Sequence, residues 1–410
     1  MKNQVLKQIF KDTDYVRRSG TREEWQAAEY LRNRCADLGA KAWLEAFPVP
    51  MGDVHAASVR ADGREIPCKG FACCGSGRVE GEFYYMPGTD PVSIAGARDK
   101  IVLLDTQGVT HWVYQDLMRA GARGLLLQYG NVHYPNRDID ERDLRAVVVG
   151  GEKRVLCAMV HTADAVKLVK SAPARVSIEI VQTEYEGVSH NVVAELPGAR
   201  GEWITMSAHY DSTALSRGAY DNMSGCVGLL GVMEALRDVP RTYGLRFVFC
   251  GSEERGLLGS RAYVEQHAEA LADTVLNVNL DMIGTILGKF IAVVSAEEKL
   301  AHYLTYMGAE LGFPVRAKTG VYSSDSTSFA DKGVPALSLA RIASKDAAPI
   351  HCRYDTADVL SMEQLQRDIA FIAQFVRRMA CAAVCPVARE IPEKVKTELD
   401  EYLYRKRKAE

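Results

Sequence analysis

The sequence predicts an α/β domain with a largely parallel sheet, interrupted by an inserted α+β module. Three observations carry that expectation. The chain has 410 residues, of which 47% are hydrophobic and 25% charged, a length and balance that suit two or three soluble globular domains with a sizeable core. From about residue 189 onward, short apolar runs alternate with helical stretches, the signature of strand–helix units around a parallel sheet. Between about residues 40 and 185 the texture differs: short β-rich runs are broken by turns such as Gly75-Ser76-Gly77, which marks a separate module.

Taken in order, residues 2–38 read as two helices. Thr21-Arg22-Glu23-Glu24 has the form of an N-cap followed by acidic residues in the first turn. Ala27, Ala28, Leu31 and Cys35 then recur at near-helical spacing, and Gly39 is a plausible stop. In the middle module the β-rich runs are 57–60, 82–86, 101–105, 124–128, 146–149 and 176–181, with helical segments near 111–120 and 163–170. In the last part the expected strands are 204–208, 245–250, 275–280 and 336–339. Helices are expected near 222–238, 256–270, 297–311 and 362–382. The expected division is 1–49 as the helical N-terminal part, 50–185 as the insertion, 186–388 as the main domain and 389–410 as a charged, helical tail.

Charge and cysteine usage exclude several classes. The formal net charge is −3, from 50 basic and 53 acidic residues, so a nucleic-acid partner is not expected. The basic cluster Arg405-Lys406-Arg407-Lys408 lies next to Glu398, Asp400 and Glu401 and reads as a solvated tail. No apolar run approaches the ~20 residues of a membrane span, so no membrane partner is expected. The N-terminus lacks the apolar core of a secretory signal; a cytoplasmic location is the expectation. Ten scattered cysteines, mostly in apolar segments, read as reduced, buried small hydrophobes. The oligomeric state is open at this level, with a homo-oligomer possible; the expected partner is a peptide substrate, on the family resemblance given below.

In open α/β sheets, ligands collect beyond the carboxyl ends of the strands, and there the residue types converge. Strand 204–208 runs into His209-Tyr210-Asp211. Asp221-Asn222-Met223-Ser224-Gly225 opens the next helix. Strand 245–250 leads to Gly251-Ser252-Glu253-Glu254, and strand 275–280 to Asp281. A later loop carries His351-Cys352-Arg353-Tyr354-Asp355-Thr356. Two imidazoles and several carboxylates at one sheet edge suit two zinc ions sharing a bridging carboxylate. Such a site activates a water and polarises a carbonyl, and it needs a base that is not itself a ligand, a division the pair Glu253-Glu254 can supply.

The ordered set His209-x-Asp211, Asp221-Asn-x-Ser-Gly225, Glu253-Glu254, Asn279-Leu-Asp281 and His351-x-x-x-Asp355-Thr356 resembles the M28 family of zinc peptidases. So do Ser324-Asp325-x-x-x-Phe329-x-x-x-Gly333-Val334-Pro335-Ala336 and Asn191-Val192-Val193-Ala194-Glu195-Leu196-Pro197-Gly198. The resemblance covers about residues 1–45 and 186–385. It implies a zinc-peptidase (phosphorylase/hydrolase-like) α/β/α sandwich. It also implies His209 and Asp281 on one zinc, Glu254 and His351 on the other, Asp221 bridging, and Glu253 as general base. Asp211 is placed to orient the His209 imidazole, and Asp355 to support the His351 loop. Tyr322 is a candidate oxyanion donor. Asp325 and Arg341 are candidates for meeting the substrate terminus, an acid for an amine or an Arg for a carboxylate. Family members often carry His or Tyr after the Ser-Asp of the 324–325 loop; here Ser326 stands there, which puts side-chain preference in question. The insertion is similar to a protease-associated domain on the cues Asp99-Lys100-Ile101-Val102-Leu103-Leu104-Asp105 and Ala120-Gly121-Ala122-Arg123-Gly124, as a lid, an interaction surface or a purely structural part. The leading functional expectation is a two-zinc aminopeptidase. The alternatives are a carboxypeptidase on the same site, a glutaminyl cyclase, whose class usually departs from the intact 221–225 pattern, and a non-catalytic homologue, a class that typically lacks ligands retained here.

Overall fold

In the computed structural model, which describes residues 1–133 and 136–408, two helices open the chain: α1 (Asn3–Asp12) and α2 (Arg22–Asp37). Thr21 caps α2 by accepting the Glu24 N–H through its hydroxyl. Leu6, Ile9 and Phe10 of α1 and Ala27, Ala28 and Leu31 of α2 are buried in one core. Strand β1 (Lys41–Ala61) leads onward, and the chain divides into two units, residues 1–49 with 188–410, and residues 50–187.

The 50–187 unit begins with a hairpin from β1 to β2 (Arg64–Ile66). Asp62 and Gly63 both take positive φ, 45° and 79°, the backbone of a tight turn that matches strand twist. The elements then run β3 (Cys68–Gly70), β4 (Gly77–Met86), α3 (Pro91–Ala95), β5 (Lys100–Leu104), α4 (His111–Ala120), β6 (Gly124–Tyr129), α5 (Ala146–Val149), β7 (Leu156–His161), α6 (Thr162–Ser171) and β8 (Val176–Leu196). Strands β4, β5, β6 and β7 are parallel neighbours, flanked by antiparallel β8 and β3. The runs of β5, β6 and β7 are largely apolar because both faces are covered: Leu125, Leu126 and Leu127 are fully buried. Segment 146–149, expected as a strand, is one helical turn instead. Gly150 closes it in the left-handed region, while His111 Nδ1 lies 2.7 Å from the Val147 carbonyl and the Gln115 amide bonds those of Val148 and Val149. Tertiary partners for the carbonyls override the β preference of the valines.

In the other unit the strands are β9 (Trp203–His209), β10 (Gly244–Cys250), β11 (Thr274–Leu280), β12 (Lys289–Ser295), β13 (Arg316–Thr319) and β14 (Ala336–Ile342). The order is β13-β12-β14-β11-β9-β10-β8. The four central strands β14, β11, β9 and β10 are parallel; β12 is antiparallel to β14, and β8 to β10. The sheet is therefore mixed and largely parallel, in keeping with the α/β expectation. Strands β12 and β13 are additions to the strands expected from sequence. Helices α7 (Ser224–Leu236), α8 (Leu258–Gln266), α9 (Glu298–Glu310), α10 (Ser326–Asp331), α11 (Met362–Ala380) and α12 (Glu393–Tyr402) complete the unit.

The core explains which helices are apolar all round. Helix α7 buries residues on every side, as expected of a helix enclosed in the interior. Its Gly225 permits the closest approach, since a Cβ there would lie 2.4 Å from the Leu280 carbonyl at the end of β11. Helix α11 is amphipathic instead and buries Leu365, Ile372, Phe375 and Val376. Residues 389–408 of the charged tail are described, and α12 packs Val395 and Leu399 against Tyr263 and Phe329. Arg405 to Lys408 are exposed, with Arg405 pairing with Asp331. All ten cysteines are free thiols. Among the described residues, no helix is long and apolar enough to cross a membrane.

Candidate metal centre

The carboxyl ends of β9, β10 and β11 lie side by side. The pairing sets Cys250 opposite His209 and Asn279 opposite Ser207, so the residues just after each strand emerge at one edge. His209 is 1% exposed at the end of β9, and its carbonyl accepts the Cys226 thiol. Glu253 and Glu254 follow β10 through Ser252, which takes a positive φ of 56°. Asp281 follows β11 directly.

Asp211 joins two of these turns. One carboxylate oxygen lies 3.4 Å from His209 Nδ1. The carboxylate also accepts the N–H groups of Glu253 and Glu254, at 2.9 and 3.1 Å. It therefore faces the imidazole and fixes the glutamate turn at once, and Ser19 donates to it from the N-terminal segment.

Asp221 sits where helical backbone is interrupted between Gly218 and α7, and its peptide bond to Asn222 is cis. Two side chains hold this segment. Asp355 accepts the N–H groups of Tyr220 and Asp221, at 2.7 and 3.2 Å. Asn222 donates to the Leu280 carbonyl and accepts from the N–H groups of Gly225 and Met282. Asn222 thus ties the Asp221 segment to the turn that carries Asp281. Asp355, expected to support the His351 loop, sets its carboxylate against the Asp221 segment.

The result is two overlapping groups. His209, Asp221 and Asp281 form one; Asp221, Glu254 and His351 form the other; within each, one ligand atom per residue lies within 4.8 Å of the rest. His209 Nε2 is 3.1 Å from Asp221 Oδ1 and 3.7 Å from Asp281 Oδ1. His351 Nε2 is 3.1 Å from both Asp221 Oδ2 and Glu254 Oε1. Asp221 offers a different oxygen to each group. Glu253 Oε2 stands 4.0 Å from His209 Nε2.

The electrostatics call for cations. Burial pulls the His209 imidazole down, but Glu253, Asp211, Asp221 and Asp281 outweigh it and hold the imidazole well above its ordinary range. Burial likewise opposes His351 and is outweighed by Glu254 and Asp221. Burial works against the charged form of Asp221, yet its bonds to the two imidazoles keep its carboxyl far below the usual range. Glu253 is pushed well above it by burial, against His209 and with Glu254, Asp325 and Asp281 adding. Buried carboxylates at this density need cationic partners. Glu254 Oε1 and Asp281 Oδ1 are buried with no hydrogen-bond donor. Imidazole nitrogens and carboxylate oxygens, with no thiolate in either group, form a donor set that zinc accepts.

The remaining candidates divide. Tyr322 is held well above its ordinary pKa by burial, then by Asp281, Tyr220, Asp221 and Glu253. Asp325 is fully buried with neither oxygen hydrogen-bonded, and burial, opposed by His209, pushes it up to about 6. Arg341 is engaged elsewhere: its guanidinium grips Asp368, with Nη2 2.6 Å and Nε 2.9 Å from the carboxylate oxygens. Asp368 also accepts the Gly284 N–H, so the pair braces the loop after Asp281. That structural partner accounts for the arginine.

Sequence reasoning missed the N-terminal contribution. Glu24 stands three residues after its cap Thr21, the spacing of a capping box. Instead of reaching back to Thr21, its carboxylate accepts from Gly20 N, Ser189 Oγ and Ser252 N. Burial, then Asp211, raises it to about 8 against those donors. Only the capping spacing signalled this residue, and it pointed to a local role.

Residues 191–376 match the model of peptidase family M28. Among curated proteins, the chain is 26% identical over 347 residues to aminopeptidase YwaD of Bacillus subtilis (strain 168), covering 81% of this chain and 69% of that one. It is 34% identical over 120 residues to leucine aminopeptidase 2 of Trichophyton equinum, covering 29% and 24%. Among solved structures, a zinc aminopeptidase from Bacillus subtilis (BSAP) superposes with a TM-score of 0.77 at 19% identity, over 96% of this chain and 97% of that one. An aminopeptidase from Aneurinibacillus sp. strain AM-1 gives 0.74 at 19% identity, over 94% and 96%. At that identity the likeness speaks for the fold.

Proposed function

We propose that this chain, whose residues 191–376 match the model of peptidase family M28, is a two-zinc aminopeptidase with Glu253 as general base. The observation that carries the reading is the pair of ligand groups sharing Asp221, with Glu253 beside them and outside both. His209, Asp221 and Asp281 would hold one ion, and Asp221, Glu254 and His351 the other. With zinc held there, the scissile carbonyl is polarised and the attacking water is acidified near neutral pH.

The chain's own groups then move the proton. Glu253 takes it from the attacking water onto its carboxylate as the C–O bond forms. It passes the proton to the departing amine nitrogen as the C–N bond breaks. Asp211 keeps the His209 ring and the Glu253–Glu254 turn in register. Tyr322 is the proposed donor to the developing oxyanion.

The amino-terminal preference rests on charge. Asp211, Asp221, Glu253, Glu254, Asp281, Asp325 and Asp355 crowd this edge, and Arg341 is held by Asp368. With this candidate guanidinium occupied, recognition of a substrate amine is favoured over that of a substrate carboxylate. In the 50–187 unit, the parallel β4–β5–β6–β7 array supports reading it as a protease-associated-type module.

The test is turnover and zinc content together. The zinc-loaded chain should release single N-terminal residues from a peptide mixture read by mass spectrometry. Glu253→Gln should lower kcat by about 10²–10⁴-fold while zinc content by elemental analysis stays near wild type. Normal turnover in that variant would remove Glu253 from the role of base, and release from the C-terminus would move the chain to the carboxypeptidase reading.

A further inference from the structure

Arg17 precedes α2 in the first unit and is fully buried. Its side chain makes five hydrogen bonds, all to main-chain carbonyls. Nε donates to Tyr210 O at 2.7 Å. Nη1 donates to Thr13 O, Tyr15 O and Arg217 O at 2.8, 2.9 and 2.6 Å. Nη2 donates to Gly218 O at 2.9 Å. Its backbone joins the same loop, the Arg17 N–H donating to Ser212 Oγ and its carbonyl accepting the Ser212 N–H.

The loop so gripped, 210–218, connects His209 and Asp211 at one end with Asp221 at the other. Gly218 shows how tight the joint is. It takes a φ of 55°, and a Cβ on it would lie 2.6 Å from the Asp221 carbonyl and 2.9 Å from Arg17 Nη2. The guanidinium therefore reaches within one residue's thickness of the backbone of Asp221. A planar fork with five fixed donors can span Tyr210 and Gly218 simultaneously; an ammonium, with three donors on one atom, cannot.

We propose that Arg17 is a positioning residue of the metal centre, setting the spacing between the His209–Asp211 turn and the shared ligand Asp221. This rests on the reading of the site as a zinc centre. Its consequence is that a segment nearly two hundred residues upstream of the ligands tunes metal affinity and coordination geometry. A merely structural arginine would affect folding stability alone.

The test compares the full-length wild type with Arg17→Lys and with a control, Arg241→Lys. Arg241 also donates to main-chain carbonyls, those of Leu236, Arg237 and Val239, at the far end of α7. All are measured where circular dichroism shows them folded. Zinc affinity is read by competition with a chromogenic chelator, and coordination by the visible absorption of bound Co2+. Arg17→Lys should bind zinc at least tenfold more weakly and alter the Co2+ spectrum. On an aminoacyl p-nitroanilide its kcat should fall tenfold or more, with KM within about threefold. Arg241→Lys should match wild type in all of these. A lowered melting temperature in Arg17→Lys with wild-type zinc affinity and Co2+ spectrum would overturn the proposal. Should Arg17→Lys fail to fold, Ser212→Ala loosens the same loop with the guanidinium in place. Zinc binding three- to tenfold weaker then supports the proposal, and unchanged binding overturns it. If the zinc-loaded wild type cleaves no peptide, the peptidase reading falls, while the affinity and spectral comparison still decides the role of Arg17.

Discussion

Asp211 and Glu24 are carboxylates whose neighbours, more than their own chemistry, define their work. Asp211 accepts two successive N–H groups from the glutamate turn and faces the far side of His209. Asp211→Asn keeps the shape but swaps one acceptor oxygen for a donor, so one N–H loses its partner. Outer partners of metal-ligand histidines are typically worth 10–100-fold in affinity or activity, and a kcat loss in that range with KM little changed is expected from steady-state kinetics. Glu24 adds a pH dependence. Burial raises its carboxyl to about 8 in the folded chain from an ordinary value of 4.5, so between those values the folded state holds more protons than the unfolded one. Its contribution to stability is full below about pH 4.5 and declines as pH rises toward and through 8, at no more than about 1.4 kcal/mol per pH unit. Urea midpoints from pH 5.5 to 8.5 should therefore fall more steeply in wild type than in Glu24→Gln; parallel slopes would refute the assignment.

At the scale of elements, the strands deliver ligands and the connections aim them. Parallel pairing of β9, β10 and β11 brings His209, Glu253, Glu254 and Asp281 to one edge, but each needs a brace: Asp355 for the Asp221 segment, Asn222 between that segment and the Asp281 turn, and Asp368 with Arg341 for the loop beyond. Asp368 is fully buried. Removing one partner of a buried pair costs about 3–5 kcal/mol because the other charge is left uncompensated. Asp368→Asn should lower the melting temperature by several degrees. Because the pair braces a loop and leaves the ligands themselves untouched, zinc stoichiometry should stay at the wild-type value. Loss of zinc in that variant would show instead that the Gly284 loop carries Asp281 with it.

For the whole molecule, the proposed metal centre would link metal binding to the fold. A cluster of buried carboxylates around two imidazoles repels itself when the cations are removed, and any ion that binds only the folded state stabilises it by mass action. A chelator should therefore lower the melting temperature of the full chain, and added zinc should restore it. A scan unchanged by chelation would mean the centre contributes nothing to stability under those conditions. The 50–187 unit has its own apolar sheet and core residues. The sequence marked its separate texture through the short β runs from Glu82 to Gln128.

Much of the fold was legible because periodicity is a local signal. Strands at 204–208, 245–250, 275–280 and 336–339 and helices α7, α8, α9 and α11 follow from apolar runs and caps. The residues after those strands stood out because five turns bearing His or acidic residues coincide at one sheet edge, although any one of them alone is ordinary. Segment 146–149 misled because four residues rich in valine look like a strand until His111 and Gln115 claim their carbonyls. The sequence alone determined the α/β pattern and which residue types lie at the strand ends. Only the tertiary structure decided that Asp221 faces both imidazoles with different oxygens, that Arg341 belongs to Asp368, and that Arg17 and Glu24 stand behind the site. Those choices depend on hydrogen bonds between residues far apart in the chain, and no local pattern of side chains encodes a partner nearly two hundred residues away.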